Sequence, residues 1–175
     1  MSDTPDRAAR YIDNGLVLGF DFGARRIGVA VGEAIVHGCR PLTTVHCRRH
    51  APDWLAITRL IDVWRPACLI VGLPLDRDGS SQQMTRRARR FGRQLHGRFR
   101  LPVFWQDERW SSLEAESRLR STAGQPICGG ADKDSLAAMI ILEDWLARHV
   151  QTTQERSLAI DRHESTNRNS TGCAG

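Results

Sequence analysis

Lysine is all but missing from this chain. Lys133 is the single one among 25 basic residues, so the surplus over 20 acidic residues, a net charge of +5, is carried by arginine. A bias toward arginine codons explains that as readily as a function does, so total charge alone assigns no partner. Thiol chemistry is thin as well. The five cysteines (Cys39, Cys47, Cys68, Cys128 and Cys173) are an odd number, with no Cys-x-x-Cys pair and no histidine at ligand spacing. That argues against a disulfide framework or a zinc site and fits reduced thiols in a cytoplasmic protein. No apolar run reaches the roughly 18 residues of a membrane span, so no membrane partner is expected. Residues 1–14 are polar and mixed in charge, which does not read as a secretory signal. There is no internal repeat. At 175 residues the chain is too short for both lobes of an actin-like or sugar-kinase fold, yet long enough to bury a sizeable core.

What is present organises into one domain. Residues 1–14 and 151–175 read as disordered tails, the second rich in Thr, Ser, Asn, Gln and charge without a sustained apolar period. Between them, residues 15–150 alternate apolar runs with amphipathic stretches. Leu16–Phe20, Ile27–Val31 and Leu42–His46 are closely spaced and predict an antiparallel meander. Pro52 is expected to open a helix carrying Trp54, Ile57, Ile61 and Trp64 on one face. Cys68–Val71 reads as a central strand buried on both faces. A helix from Ser81 to His96 would bury Met84, Ala88, Phe91 and Leu95. Val103–Gln106 forms a further strand, and a helix from Lys133 to His149 closes the domain. The predicted fold is α/β: a mixed five-stranded sheet, three antiparallel strands then β-α crossovers, with helices on both faces.

Three acidic positions fall where such sheets gather ligands, beyond the carboxyl ends of strands. Asp21 follows the first strand, Asp107 and Glu108 end the last, and Asp134 lies in the first turn of the final helix. Asp134 shares the stripe of Ala138, Ile141 and Trp145, so it is expected to face the sheet. Clustered carboxylates raise one another's pKa, and a divalent cation relieves the repulsion. Oxygen ligands without thiolate or imidazole suit Mg²⁺ or Mn²⁺. A pair of such ions can activate water and stabilise a leaving oxygen in phosphodiester cleavage.

At these residues the sequence resembles the YqgF/RuvX family of pre-16S rRNA nucleases, also described as Holliday junction resolvase-like. Four blocks carry the resemblance: Gly19-Phe-Asp-Phe-Gly-Ala-Arg-Arg-Ile-Gly-Val-Ala, Val71-Gly-Leu-Pro-Leu followed by Asp78-Gly-Ser, Asp107-Glu-Arg, and Lys133-Asp-Ser-Leu-Ala-Ala-Met-Ile-Ile-Leu. The resemblance implies an RNase H-like fold and a nuclease with Asp21, Glu108 and Asp134 as metal-binding carboxylates, with Asp107 as a helper. It also implies a cytoplasmic role in maturing the 5′ end of 16S rRNA. One departure is Trp110-Ser-Ser after Asp107-Glu-Arg, where the family usually has Leu-Thr-Thr.

Nucleic acid is the expected partner, as an rRNA precursor or as branched DNA. Seven arginines fall between Arg86 and Arg100, and Arg86, Arg90 and Arg93 should lie on the solvent face of their helix. Arg25 and Arg26 in the turn after Asp21, and Lys133 beside Asp134, are further candidates for phosphate contact. A Holliday junction resolvase would act as a symmetric dimer, whereas a ribosomal RNA nuclease can be a monomer or a homodimer. A non-catalytic assembly factor would keep the basic helix without needing the carboxylates. A nucleotide phosphotransferase, which shares Asp-x-Gly after a first strand, is disfavoured by the missing second lobe.

Overall fold

The computed structural model describes residues 11, 15–33, 38–48, 51–74, 82–107 and 132–149. Six strands form one sheet: β1 (Leu16–Phe22), β2 (Arg26–Glu33), β3 (Gly38–Arg48), β4 (Ala51–Pro52), β5 (Cys68–Leu73) and β6 (Val103–Asp107), in the order β4-β3-β2-β1-β5-β6. The β1–β2, β2–β3 and β3–β4 pairs are antiparallel, while β1–β5 and β5–β6 are parallel. The meander and the crossovers are therefore as the apolar runs implied.

The sheet has six strands where five were expected, and the extra one is β4. Pro52 does not open the helix that follows. Asp53 caps it, accepting hydrogen bonds from the backbone N–H groups of Leu55 and Ala56 at 3.1 Å, so helix α1 begins one residue later and spans Trp54–Trp64. Ala51 and Pro52 are thereby left extended against Arg48 and Cys47, at the sheet edge, where a residue without an N–H is tolerated. Strand β3 is also longer than Leu42–His46. It runs through Pro41 because the register shifts beside Val29 and Ala30, letting the chain bulge where proline cannot donate.

Helix α2 (Gln82–Phe99) and α1 cover one face of the sheet, and helix α3 (133–149) covers the other. On the first face Leu18, Phe20, Ile27, Val29, Leu69 and Val71 meet Ile57, Ile61, Phe91 and Leu95. On the second, Val17, Ala30, Cys68, Ile70 and Phe104 meet Ala138, Ile141, Leu142, Trp145 and Leu146. Strand alternation explains the partition, since successive residues of β1 and β5 serve opposite faces and both are apolar. Close approach of α3 is bought by glycine: a Cβ on Gly19 would lie 3.0 Å from that of Leu142. Of the expected tails only Tyr11 is described, its ring 6.2 Å from that of Phe104.

Helices α1, α2 and α3 begin at the same end of the sheet. The cap of α1 hydrogen-bonds the His46 carbonyl, the Thr85 hydroxyl near the start of α2 donates to the carbonyl of Pro74 just past β5, and the start of α3 lies over Gly28. This is the end where β1, β3, β5 and β6 terminate.

Candidate active site

One row of residues crosses that end on the α3 face. Thr44 pairs with Gly28, Gly28 pairs with Asp21, and Gly72 pairs with Gln106 on the far side. Asp21 directly follows the Phe20–Val71 pair, which puts it level with Gly72. Asp134 comes down onto this row from α3. A Cβ on Gly28 would sit 1.8 Å from the Asp134 carbonyl oxygen, so the helix backbone rests where a side chain would otherwise stand. Gly28 is thus required for Asp134 to reach the strand pair that carries Asp21.

Three polar contacts hold the start of α3 in place. The Asp132 carboxylate accepts from the Ser135 N–H at 2.9 Å, and the Ser135 hydroxyl donates to the Asp132 carbonyl at 2.9 Å. Thr44 donates its hydroxyl to the same Asp132 carboxylate, tying the cap to β3. Desolvation raises the pKa of the Asp132 carboxyl, but the hydrogen bonds from Thr44, Ser135 and the Asp134 N–H together outweigh that and lower it. Arg26, the first residue of β2, pairs through Nε with Asp134 Oδ2 at 2.8 Å.

The electrostatics follow from this packing. Burial pushes the Asp21 carboxyl up to about 6, and the charge of Asp134 adds to the rise. Asp134 is therefore near enough to Asp21 for its charge to act on that carboxyl. Glu108, the third expected carboxylate, and Trp110 lie outside the described residues. Asp107 is placed differently from Asp21: it pairs with Leu73 and, by alternation, belongs to the face covered by α1 and α2. Among the described residues no group of three or more His, Cys, Asp or Glu side chains is gathered for a metal.

The basic residues divide in the same way. Arg26 is at the site. Arg25 offers its carbonyl to the Cys47 N–H at 2.9 Å, which fixes the turn, and its side chain is exposed. Lys133 is exposed in the first turn of α3, beside Asp134. Arg86, Arg90 and Arg93 are exposed on α2, which packs on the opposite face of the sheet from Asp21. Arg86 is nearest the strand ends; Arg90 and Arg93 lie about 6 and 10 Å farther down the helix at its 1.5 Å rise per residue.

Sequence reasoning did not single out Thr44, Gly28, Asp132 or Gln106. Asp132 with Ser135 three residues on is a readable helix-start pattern. Gln106, 3% exposed, lies on the Asp21 face of β6, its amide Nε2 donating to the Asp107 carbonyl at 3.4 Å. Only the strand register reveals that placement.

The sequence profile of the RuvX family, described as Holliday junction resolvase, matches residues 15–148. The chain belongs to the RuvX family. Among its relatives, a protein of Nitrosococcus oceani named as a pre-16S rRNA nuclease is 52% identical over 133 residues, covering 75% of this chain and 86% of that protein. One of the same name from Dechloromonas aromatica is 45% identical over 142 residues, covering 80% and 97%. Of solved structures, Thermus thermophilus RuvC in complex with a Holliday junction substrate superposes with a TM-score of 0.54 at 15% identity, covering 79% of this chain and 98% of that one. That likeness establishes an RNase H/RuvC-like fold, a mixed sheet with flanking helices.

Proposed function

We propose that this RuvX protein is a divalent-metal-dependent endonuclease that hydrolyses phosphodiester bonds in the maturation of the 5′ end of pre-16S rRNA. The observation that carries the reading is the meeting of Asp21 and Asp134 at the carboxyl end of β1. A half-buried carboxyl lifted to about 6 beside a second carboxylate is a poor arrangement unless a cation sits there. Oxygen donors without sulfur or imidazole fit Mg²⁺ or Mn²⁺, probed best as a pair of ions. Such ions supply a nucleophilic water and charge stabilisation at the leaving oxygen.

The chain's own residues would do the rest. Asp21 and Asp134 would hold the ions, and Glu108, the acidic residue of the Asp107-Glu-Arg block, would complete the set. Asp107, on the other face, serves the strand end rather than the ions. The helix starts of α1, α2 and α3 bring partial positive charge to one end of the sheet, which favours a phosphate there. Arg25, Arg26 and Lys133 flank the scissile position, and Arg86, Arg90 and Arg93 extend the basic track along α2. The pre-16S substrate is favoured because the relatives at 52% and 45% identity carry that name.

The test is cleavage of an rRNA precursor, single-stranded RNA and a four-way DNA junction by purified protein in Mg²⁺, Mn²⁺ or EDTA. Metal-dependent cleavage of the precursor is expected. Preference for the junction would turn the reading to a resolvase, and tight binding without cleavage to an assembly factor.

A further inference from the structure

The Arg26–Asp134 pair places a cation on a carboxylate that the proposed reaction needs for another cation. Arg26 opens β2 directly after the turn in which the Gly23 N–H donates to the Arg26 carbonyl at 3.0 Å, and the Arg25 carbonyl beside it accepts from Cys47. Its backbone is therefore fixed from two sides. Alternation along β2 puts Arg26 on the same face as Gly28, under the start of α3, while Ile27 is buried on the other face. From there its Nε reaches Asp134 Oδ2 at 2.8 Å, with the arginine side chain 58% exposed and that of Asp134 24% exposed. The partner oxygen is thus the more sheltered one, and the guanidinium has open solvent in which to swing.

We propose that Arg26 is a placeholder: it occupies Asp134 while the site holds no divalent ion, and it is displaced when one binds, turning outward to take a substrate phosphate. This deepens the metal-site reading above and rests on it. Two observations support it independently. Asp21 lies in the same row as Gly28, one strand over from Arg26, so a divalent ion held between Asp21 and Asp134 would stand close to the guanidinium and repel it. In addition, Asp134 is anchored through its own backbone against Gly28 and through the Asp132 cap, so it keeps its position without the arginine. A long, exposed side chain is the part free to move; the helix start is not. The planar guanidinium is suited to both partners, carboxylate and phosphate.

The test compares wild type with Arg26→Gln and Arg26→Lys, first by calorimetric titration of the EDTA-treated, dialysed protein with Mn²⁺ and no nucleic acid. Displacement predicts that Arg26→Gln binds Mn²⁺ about tenfold more tightly, because no cation must be moved, while Arg26→Lys stays near wild type. Each variant is then titrated with single-stranded RNA in Ca²⁺ across a salt series, where Arg26→Gln should lose about one unit of slope. Equal or weaker Mn²⁺ binding by Arg26→Gln, with its circular dichroism unchanged, overturns the placeholder while leaving the metal site standing. Tighter Mn²⁺ binding with an unchanged salt slope overturns the turn to phosphate. Failure of the wild type and both variants to bind Mn²⁺ at all overturns the metal-site reading and this inference with it.

Discussion

Asp21 is the residue on which the proposed chemistry and the stability meet. A carboxyl whose folded pKa is raised from 3.8 to about 6 holds its proton more tightly in the folded state than in the unfolded chain. Stability from this group is therefore full below about pH 4 and is lost as pH rises through 6, a cost of about 3 kcal/mol for a shift of about two units. In EDTA, thermal melts of the wild type are expected to weaken between about pH 4 and 6.5 and to level off above that, and Asp21→Asn should flatten that trend and melt higher at pH 7.5. The same variant should lose cleavage while keeping RNA affinity. Melts that are indifferent to pH, or an Asn variant less stable at pH 7.5, would count against an ionised carboxyl held partly out of water. Gly28 sets the other residue-scale condition. With the Asp134 carbonyl 1.8 Å from the position of a Cβ, Gly28→Ala must push the start of α3 off the sheet. A loss of about 1–3 kcal/mol in denaturant melts is expected from such overpacking, together with loss of activity.

At the scale of elements, helix ends decide where side chains of the site stand. Asp132→Ala removes the cap shared by Ser135 and Thr44, and should cost about 1 kcal/mol in chemical denaturation and weaken cleavage through Asp134. The helix α1 ends in the left-handed region at Arg65, φ 44°, where a side chain is crowded. Arg65→Gly is expected to stabilise the protein by roughly 0.5–1 kcal/mol without changing activity, since the end of α1 lies away from the carboxylates. The helices themselves were legible from apolar spacing, because α3 buries Ala138, Ile141 and Trp145 as their stripe implied. Their starts were less so. Proline at position 52 suggested a helix opening, but the Asp53 side chain supplies the acceptor that N–H groups at a helix start require, and it won. The bulge that admits Pro41 into β3 depends on pairing with β2, which no local pattern records.

On the scale of the whole molecule, the sheet separates two kinds of charge. Asp21 and Asp134 belong to the α3 face, while Arg86, Arg90 and Arg93 stand outward on α2 over the other face. The sequence showed both clusters but could not show that a sheet lies between them, because faces follow from register rather than from spacing. The consequence is that bound RNA must cross the end of the sheet to touch both. Replacing Arg86, Arg90 and Arg93 together by Gln should lower the slope of log affinity against log salt by up to about three units, with Arg86 contributing first because it is nearest the strand ends. Cleavage at saturating RNA should persist, because none of the three reaches the carboxylates. Family resemblance suggested roles for the acidic residues; the fold brings Asp134 down beside the strand pair of Asp21, through a glycine opposite Asp21 and a pinned helix start above it.

The most direct test of the account is anomalous diffraction from a crystal of the wild-type protein soaked in Mn²⁺. The account predicts a manganese peak within bonding distance of carboxylate oxygens of both Asp21 and Asp134, with the Arg26 guanidinium moved away from Asp134. A saturated soak that leaves those two carboxylates bare, or that places manganese only elsewhere, would contradict it.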